Sequence, residues 1–309
     1  MKILKLILFW IIMIVIMILS WSIGSFAGNA ITNSTPPAPA DPSSVLIPFL
    51  LVCVVNSFLV SLLIWATHRY FGWIKWGSMI LYLFVIQFFL TQMETYFFSE
   101  SFDISTNQIV SILISGFIVS AATVGLGVLI FKKLDQNMER RLVSFEIMNK
   151  KTLIPSAILL ACIVYPTIYM TFGYYVAWQN ENLRTFYTGS TQINPFFTQL
   201  AASFSDGVFF FQMLRGLIWL AVSIPMVVML RHMKVFQYLL IGLFSALFPG
   251  MLLFIPNPYM PADIALSHFY ETSTSNFLWG IILTYAVNRY VKISGGVTWA
   301  YSLPSKPSS

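Results

Sequence analysis

Blocks of apolar residues separated by short polar stretches set the pattern of this chain, and each block is about as long as a bilayer is thick. A helix rises about 1.5 Å per residue, so about 18 or more uncharged residues cross the hydrocarbon layer. Eight blocks fit: Leu6 to Ile23, Val45 to Ala66, Gly77 to Phe98, Ile109 to Phe131, Leu153 to Trp178, Val208 to Leu230, Val235 to Ile255, and about Ser273 to Val291. The eighth has the shortest uninterrupted apolar part. Asp263, after Pro261, is expected as the N-cap of a helix that begins before the membrane. Alternating strands are missing from the pattern, and lipid leaves no backbone group unpaired, so the blocks must be helices. The pattern predicts an all-α integral membrane protein, a polytopic bundle of about eight transmembrane helices.

Composition removes the alternative of a water-soluble fold. Hydrophobic residues make up 58% of the chain and charged ones 9%, whereas roughly a quarter of the residues of a soluble domain are charged. Charge then sets the threading, because Lys and Arg are retained on the cytoplasmic side. Lys2 and Lys5, Arg69 and Lys75, the basic residues from Lys132 to Lys151, Arg231 and Lys234, and those from Arg289 to Lys306 fall at alternate ends of the blocks. Of the 17 basic residues, only Arg184 lies in the opposite loops and only Arg215 within a span. Both termini are therefore expected in the cytoplasm. The net charge of +6 reflects this asymmetry rather than a nucleic-acid surface. The expected partner is the lipid bilayer, that of a plasma membrane or a bacterial inner membrane.

Four regions follow from the same pattern. Residues 1–27 join MKILK, an apolar run and SFAGNA, as a secretory signal does. A core of this length already spans a bilayer, however, so it is read as a retained signal anchor or first transmembrane helix. Residues 28–44 form a Pro- and Ser-rich extracytoplasmic linker. Residues 45–293 hold a seven-helix bundle with a cytoplasmic loop at 132–151, where Leu134, Met138, Leu142, Phe145 and Met148 predict an amphipathic segment along the inner membrane surface. Residues 294–309 are a cytoplasmic tail. In the bundle, Gly116, Ser120, Thr123 and Gly127 make a stripe for close helix packing. Pro166, Pro225 and Pro249 predict kinks, and Cys53 and Cys162 act as small hydrophobes.

Ionisable groups inside the spans carry the functional signal, since a charge near the bilayer centre costs about 2.5–3.5 kcal/mol on insertion scales. Glu94 lies four residues before the outer end of the third span, about 6 Å deep. Arg215 lies seven residues into the sixth, about 10 Å deep, from where a guanidinium reaches outward. In the eighth segment His268, Glu271, Thr272 and Ser275 form one polar stripe descending from the same side, and Gln92 and Gln212 share that depth. Opposite charges at matching depth predict that Glu94, Glu271 or both neutralise Arg215. The candidate binding residues are thus Glu94, Gln92, Gln212, Arg215, His268 and Glu271. Replacing Arg215 by Leu is expected to harm folding or activity far more than replacing Arg184. Asn56, Tyr165 and Tyr169 are assigned to the uncharged inner halves.

Several chemistries lack their signatures. There is no HExxH, and His68 and His232 belong to the opposite membrane face, so no metal site is indicated. No GxSxG and no cysteine near a histidine supports nucleophilic catalysis, and no phosphate-cradling loop supports ATP hydrolysis. No cofactor is expected. The leading expectation is a permease or carrier for a small polar or charged solute, with Arg215 contacting an anion and Glu94 or Glu271 carrying a proton. The alternatives are a membrane-embedded enzyme using His268 and Glu271 as acid and base on a lipid or lipid-linked substrate, and a structural subunit of a membrane complex.

Overall fold

The computed structural model describes residues 3–35, 41–102, 104–134, 141–142, 146–147 and 150–292. Among them, seven spans are long and apolar enough to cross a membrane. They are α1 (Ile3–Thr32), α2 (Pro42–Ala66), α3 (Trp73–Phe84) continued by α4 (Leu90–Phe97), α5 (Thr106–Leu134), α6 (Lys150–Leu159) continued by α7 (Tyr165–Tyr175), α10 (Val208–Leu230), and α11 (Val235–Gly250). Between α7 and α10 stand α8 (Glu181–Thr188) and α9 (Phe196–Ser205). The last helix, α12 (Ala262–Tyr290), has 29 residues, about 43 Å of helix and enough to cross as well. Its lower apolarity has a structural cause. Glu271, Ser275, Asn276 and Thr284 are buried inside the bundle rather than turned outward. The chain is a multi-pass, all-α membrane protein.

Helix ends and contacts follow from local chemistry. The Asp41 carboxylate accepts from the Ser43 amide at 2.9 Å and caps α2, satisfying an amide that the helix itself leaves unpaired. Asp263 differs from expectation: α12 starts at Ala262, so Asp263 sits inside the first turn and not at the N-cap. There it accepts from the Asn182 side chain at 2.8 Å, and that bond lowers its pKa below the ordinary value. At the start of the chain, α1 continues through Thr32, into the stretch expected as linker. Residues 36–40 of that stretch lie outside the described residues.

The small residues of α5 serve several neighbours instead of one. Gly24 and Gly28 of α1 face Ser115 and Ser111, and a Cβ on Gly28 would fall 2.5 Å from the Ser111 carbonyl oxygen. Ser111 also donates to the Asn29 side-chain oxygen at 2.7 Å. Gly116 makes room for the Phe88 ring, and Gly127 for Ile64 and Met13. On the far side of the bundle, Gly242 of α11 meets Gly280 of α12, where an added Cβ would lie 2.9 Å from the Gly242 Cα. Backbones approach this closely only where side chains are absent.

Two spans contain a π-helical turn: Val85–Phe89 between α3 and α4, and Leu160–Val164 between α6 and α7. The second adjoins Pro166, whose ring would press on the Cys162 carbonyl in a regular α-helix; the wider turn relieves this. The first has no proline. Each extra residue rotates the chain beyond it by about 100°, which turns Glu94 and Tyr169 toward one another. The other two prolines act differently. Helix α10 runs unbroken through Pro225, and Pro249 lies in the last turn of α11 before a 3-10 turn at Met251–Phe254.

Much of the loop at 132–151, expected as an amphipathic segment, lies outside the described residues. α5 extends through Leu134, but Arg141–Leu142 pairs with Tyr70–Phe71 in a parallel two-residue ladder, and Glu146–Ile147 pairs with Val291–Lys292. Met138, Phe145 and Met148 lie outside the described residues.

Candidate functional site

Helix α10 supplies the axis of the site. Gln212, Arg215, Trp219 and Ser223 follow at i, i+3, i+7 and i+11, so they share one face, and all four are at most 5% exposed. Gly216 beside them lets the Ala161 carbonyl approach. A Cβ there would lie 2.5 Å from that oxygen, so the glycine seats α10 against the second π-turn.

At Arg215 the expected ion pair forms. One terminal nitrogen (Nη2) lies 3.0 Å from Glu94 Oε2, and the other (Nη1) donates to Gln212 Oε1 at 2.9 Å. The second oxygen of Glu94 accepts from the Tyr169 hydroxyl at 2.7 Å. The guanidinium carbon stands 5.8 Å from the ring centroids of both Tyr169 and Phe211, close enough for cation–π attraction. The Arg215 side chain is 6% exposed and that of Glu94 31%, so the pair is buried at the cation and open at the carboxylate.

Helix α12 brings the second half. Glu271 is buried, with its Oε2 3.6 Å from His268 Nδ1 and accepting from Thr272 at 3.3 Å. His268 Nε2 lies 3.0 Å from the Tyr187 hydroxyl. Burial first, then the charges of Glu94 and Glu271, push the Tyr187 phenol above its ordinary range, so it stays protonated. In the neutral imidazole it donates to Nε2, which leaves the ring proton on Nδ1, facing Glu271.

The six residues expected from sequence are thus brought together unequally. Arg215, Glu94 and Gln212 are directly bonded, and His268 and Glu271 form an adjoining pair. Glu271 does not share the guanidinium: among the described residues, Arg215 has Glu94 as its ion-pair partner within 4.0 Å, while Glu271 lies beside His268. Gln92, two residues from Glu94, takes the other side of its helix, and its buried side-chain oxygen has no hydrogen-bond partner. Ser275 bonds to the Thr272 carbonyl of its own helix.

Two members were missed. Tyr169 belongs to this outer cluster rather than to the inner half. It lies nine residues before Trp178, about 13 Å from that end, so a depth count alone leaves it deeper than Glu94, and the hydrogen bond between the two places it in the cluster. Tyr187 lies on the short helix α8, between two spans and outside the apolar blocks whose ionisable groups carry the sequence signal. Arg184 pins this helix through the Trp178 carbonyl at 2.6 Å and the Thr191 carbonyl at 2.7 Å, and only 6% of it is exposed.

Several buried groups on α10 and α12 remain unmatched: Arg215 Nε, Gln212 Nε2, Trp219 Nε1, Ser223 Oγ and Trp279 Nε1. Tyr165 joins the two tryptophans, its ring centroid 5.9 Å from Trp219 and 5.1 Å from Trp279. Among the described residues no group of three His, Cys, Asp or Glu could hold a metal ion. Compared with protein-family models, with curated proteins and with solved structures, the chain matches none.

Proposed function

We propose that this protein is a permease or carrier for a small polar or charged solute, binding at Arg215, Glu94 and Gln212 on the extracytoplasmic side of a plasma or bacterial inner membrane. The observation that carries this reading is the set of unmatched donors beside the Arg215–Glu94 ion pair. An ion pair that merely fixed helix register would close on itself, since each buried donor left without a partner costs about 1–3 kcal/mol. A solute that completes those bonds accounts for them. The donors also continue along α10 from Gln212 past Arg215 to Ser223, as a route through the bundle requires and a single structural contact does not.

A membrane-embedded enzyme is the second reading. It draws on His268 held between Glu271 and the Tyr187 hydroxyl, an arrangement suited to acid–base work on a lipid-linked substrate. A structural subunit has no such specific observation in its favour. Tracer uptake into proteoliposomes decides among them. A panel of labelled carboxylates, amines, amino acids and polyols is expected to give protein-dependent uptake of one class, abolished by Arg215→Met. Folded protein that moves no member of the panel faster than empty liposomes would overturn the permease reading.

A further inference from the structure

We infer that the solute is a small monocarboxylate that displaces Glu94 from Arg215, and that one proton enters the site with it; this rests on the permease reading above. The unmatched groups define what the ligand must offer. Arg215 Nε, Gln212 Nε2, Trp219 Nε1 and Trp279 Nε1 can only donate. The side-chain oxygen of Gln212 already accepts from Arg215. The missing partner therefore brings acceptors, and an oxyanion brings the strongest.

Glu94 fills this role incompletely. It meets the guanidinium through Oε2 alone, because Oε1 is held by the Tyr169 hydroxyl. The Nε–Nη2 edge of Arg215 is consequently half-used. A free carboxylate can take both positions of that edge in parallel, the preferred geometry of an arginine–carboxylate pair.

Charge fixes the valence and the stoichiometry. The groups around the Arg215–Glu94 pair are Tyr169 and Tyr165 from α7, Tyr187 from α8, and Glu271 with its neighbour His268 from α12, while α5 carries no titratable side chain before Lys132. One guanidinium stands against two carboxylates, so a second anion beside an ionised Glu94 would be buried without compensation. Displaced Glu94 therefore binds the proton: the ion pair of Arg215 and Glu94, plus an anion and a proton, becomes an ion pair of Arg215 and the anion, plus a neutral Glu94 carboxyl. The site keeps its net charge. A phosphate dianion fails this balance.

Calorimetric titration of the purified full chain in detergent tests this, using benzoate, lactate, inorganic phosphate and benzamide in two buffers of different ionisation enthalpy. Benzoate or lactate is expected to bind with close to one proton taken up per anion. Its dissociation constant should rise by up to about tenfold per pH unit on the alkaline side, since a proton bound with the ligand is lost as pH rises. Benzamide, which has no charge, and phosphate titrated on the alkaline side, where it is mostly the dianion, should bind at least about tenfold more weakly than the carboxylate under the same conditions. Glu94→Gln should bind the carboxylate without proton uptake and with a flat pH profile. Trp219→Phe, which removes the N–H together with part of the buried ring system, should bind several-fold more weakly with proton uptake unchanged. Unfolding midpoints of both variants separate binding from folding, and if Glu94→Gln does not fold, the proton count of the wild type and the Trp219→Phe result still decide. Benzamide binding as well as benzoate, proton uptake persisting in Glu94→Gln, or neither carboxylate binding would overturn the inference. In those cases, uptake of a neutral or cationic tracer in proteoliposomes leaves the permease reading standing.

Discussion

At Arg215 a single side chain carries much of the argument. Its guanidinium gives one nitrogen to Glu94, one to Gln212, and keeps a third unmatched. Stripping one partner from a fully buried pair costs about 3–5 kcal/mol. With Glu94 about a third exposed, Arg215→Met is expected to lose roughly 2–3 kcal/mol. Combined with Glu94→Gln it should lose clearly less than the two single changes summed, in a double-mutant cycle read by unfolding in detergent; strict additivity would show the charges to be uncoupled. Arg184 is a poor tolerant comparison, although the sequence marks it as an outer-loop residue. It is buried and satisfies two carbonyls, so Arg184→Met should itself cost about 1–3 kcal/mol. Exposed Lys133 is the neutral control, and Lys133→Met should leave the unfolding midpoint unchanged.

Between residue and bundle, the π-turns and glycines place the site. The spans were legible from apolar run length, and the small-residue stripe of α5 from its spacing. The π-turn at Val85–Phe89 was not, because no proline or glycine marks it; within it Phe88 packs over Gly116 of α5. Gly216 makes a direct test. Gly216→Val would drive carbon against the Ala161 carbonyl at 2.5 Å, a backbone atom that cannot swing aside, and is expected to cost about 2 kcal/mol or more. Gly125→Val, at a position with nothing within 4 Å, should change the unfolding midpoint little. Equal tolerance of both would mean that α10 does not rest on the second π-turn.

For the whole molecule, threading and site location make one claim: the loop carrying Tyr187 and the helix start carrying His268 must share the outer side. In a chain with Cys53 and Cys162 replaced by Ala, Gln192→Cys should react with a membrane-impermeant maleimide on intact cells. Lys133→Cys should react only after permeabilisation, as the distribution of basic residues requires. Labelling of both from outside, or of neither, would invert or break this arrangement.

The sequence by itself determined that the chain crosses a membrane as helices, which ends hold the basic residues, and that Glu94 and Arg215 lie at one depth. These follow from local quantities: apolar run length, rise per residue and charge position. Only the tertiary structure decided that Glu94 rather than Glu271 takes the guanidinium, that Tyr169 and Tyr187 complete the cluster, and that donors along α10 are left unmatched. Those outcomes depend on how far each helix is rotated and how closely its neighbours approach. Rotation and approach are set by π-turns, glycine contacts and a folded loop, which join residues far apart in the chain and leave no period within any single segment.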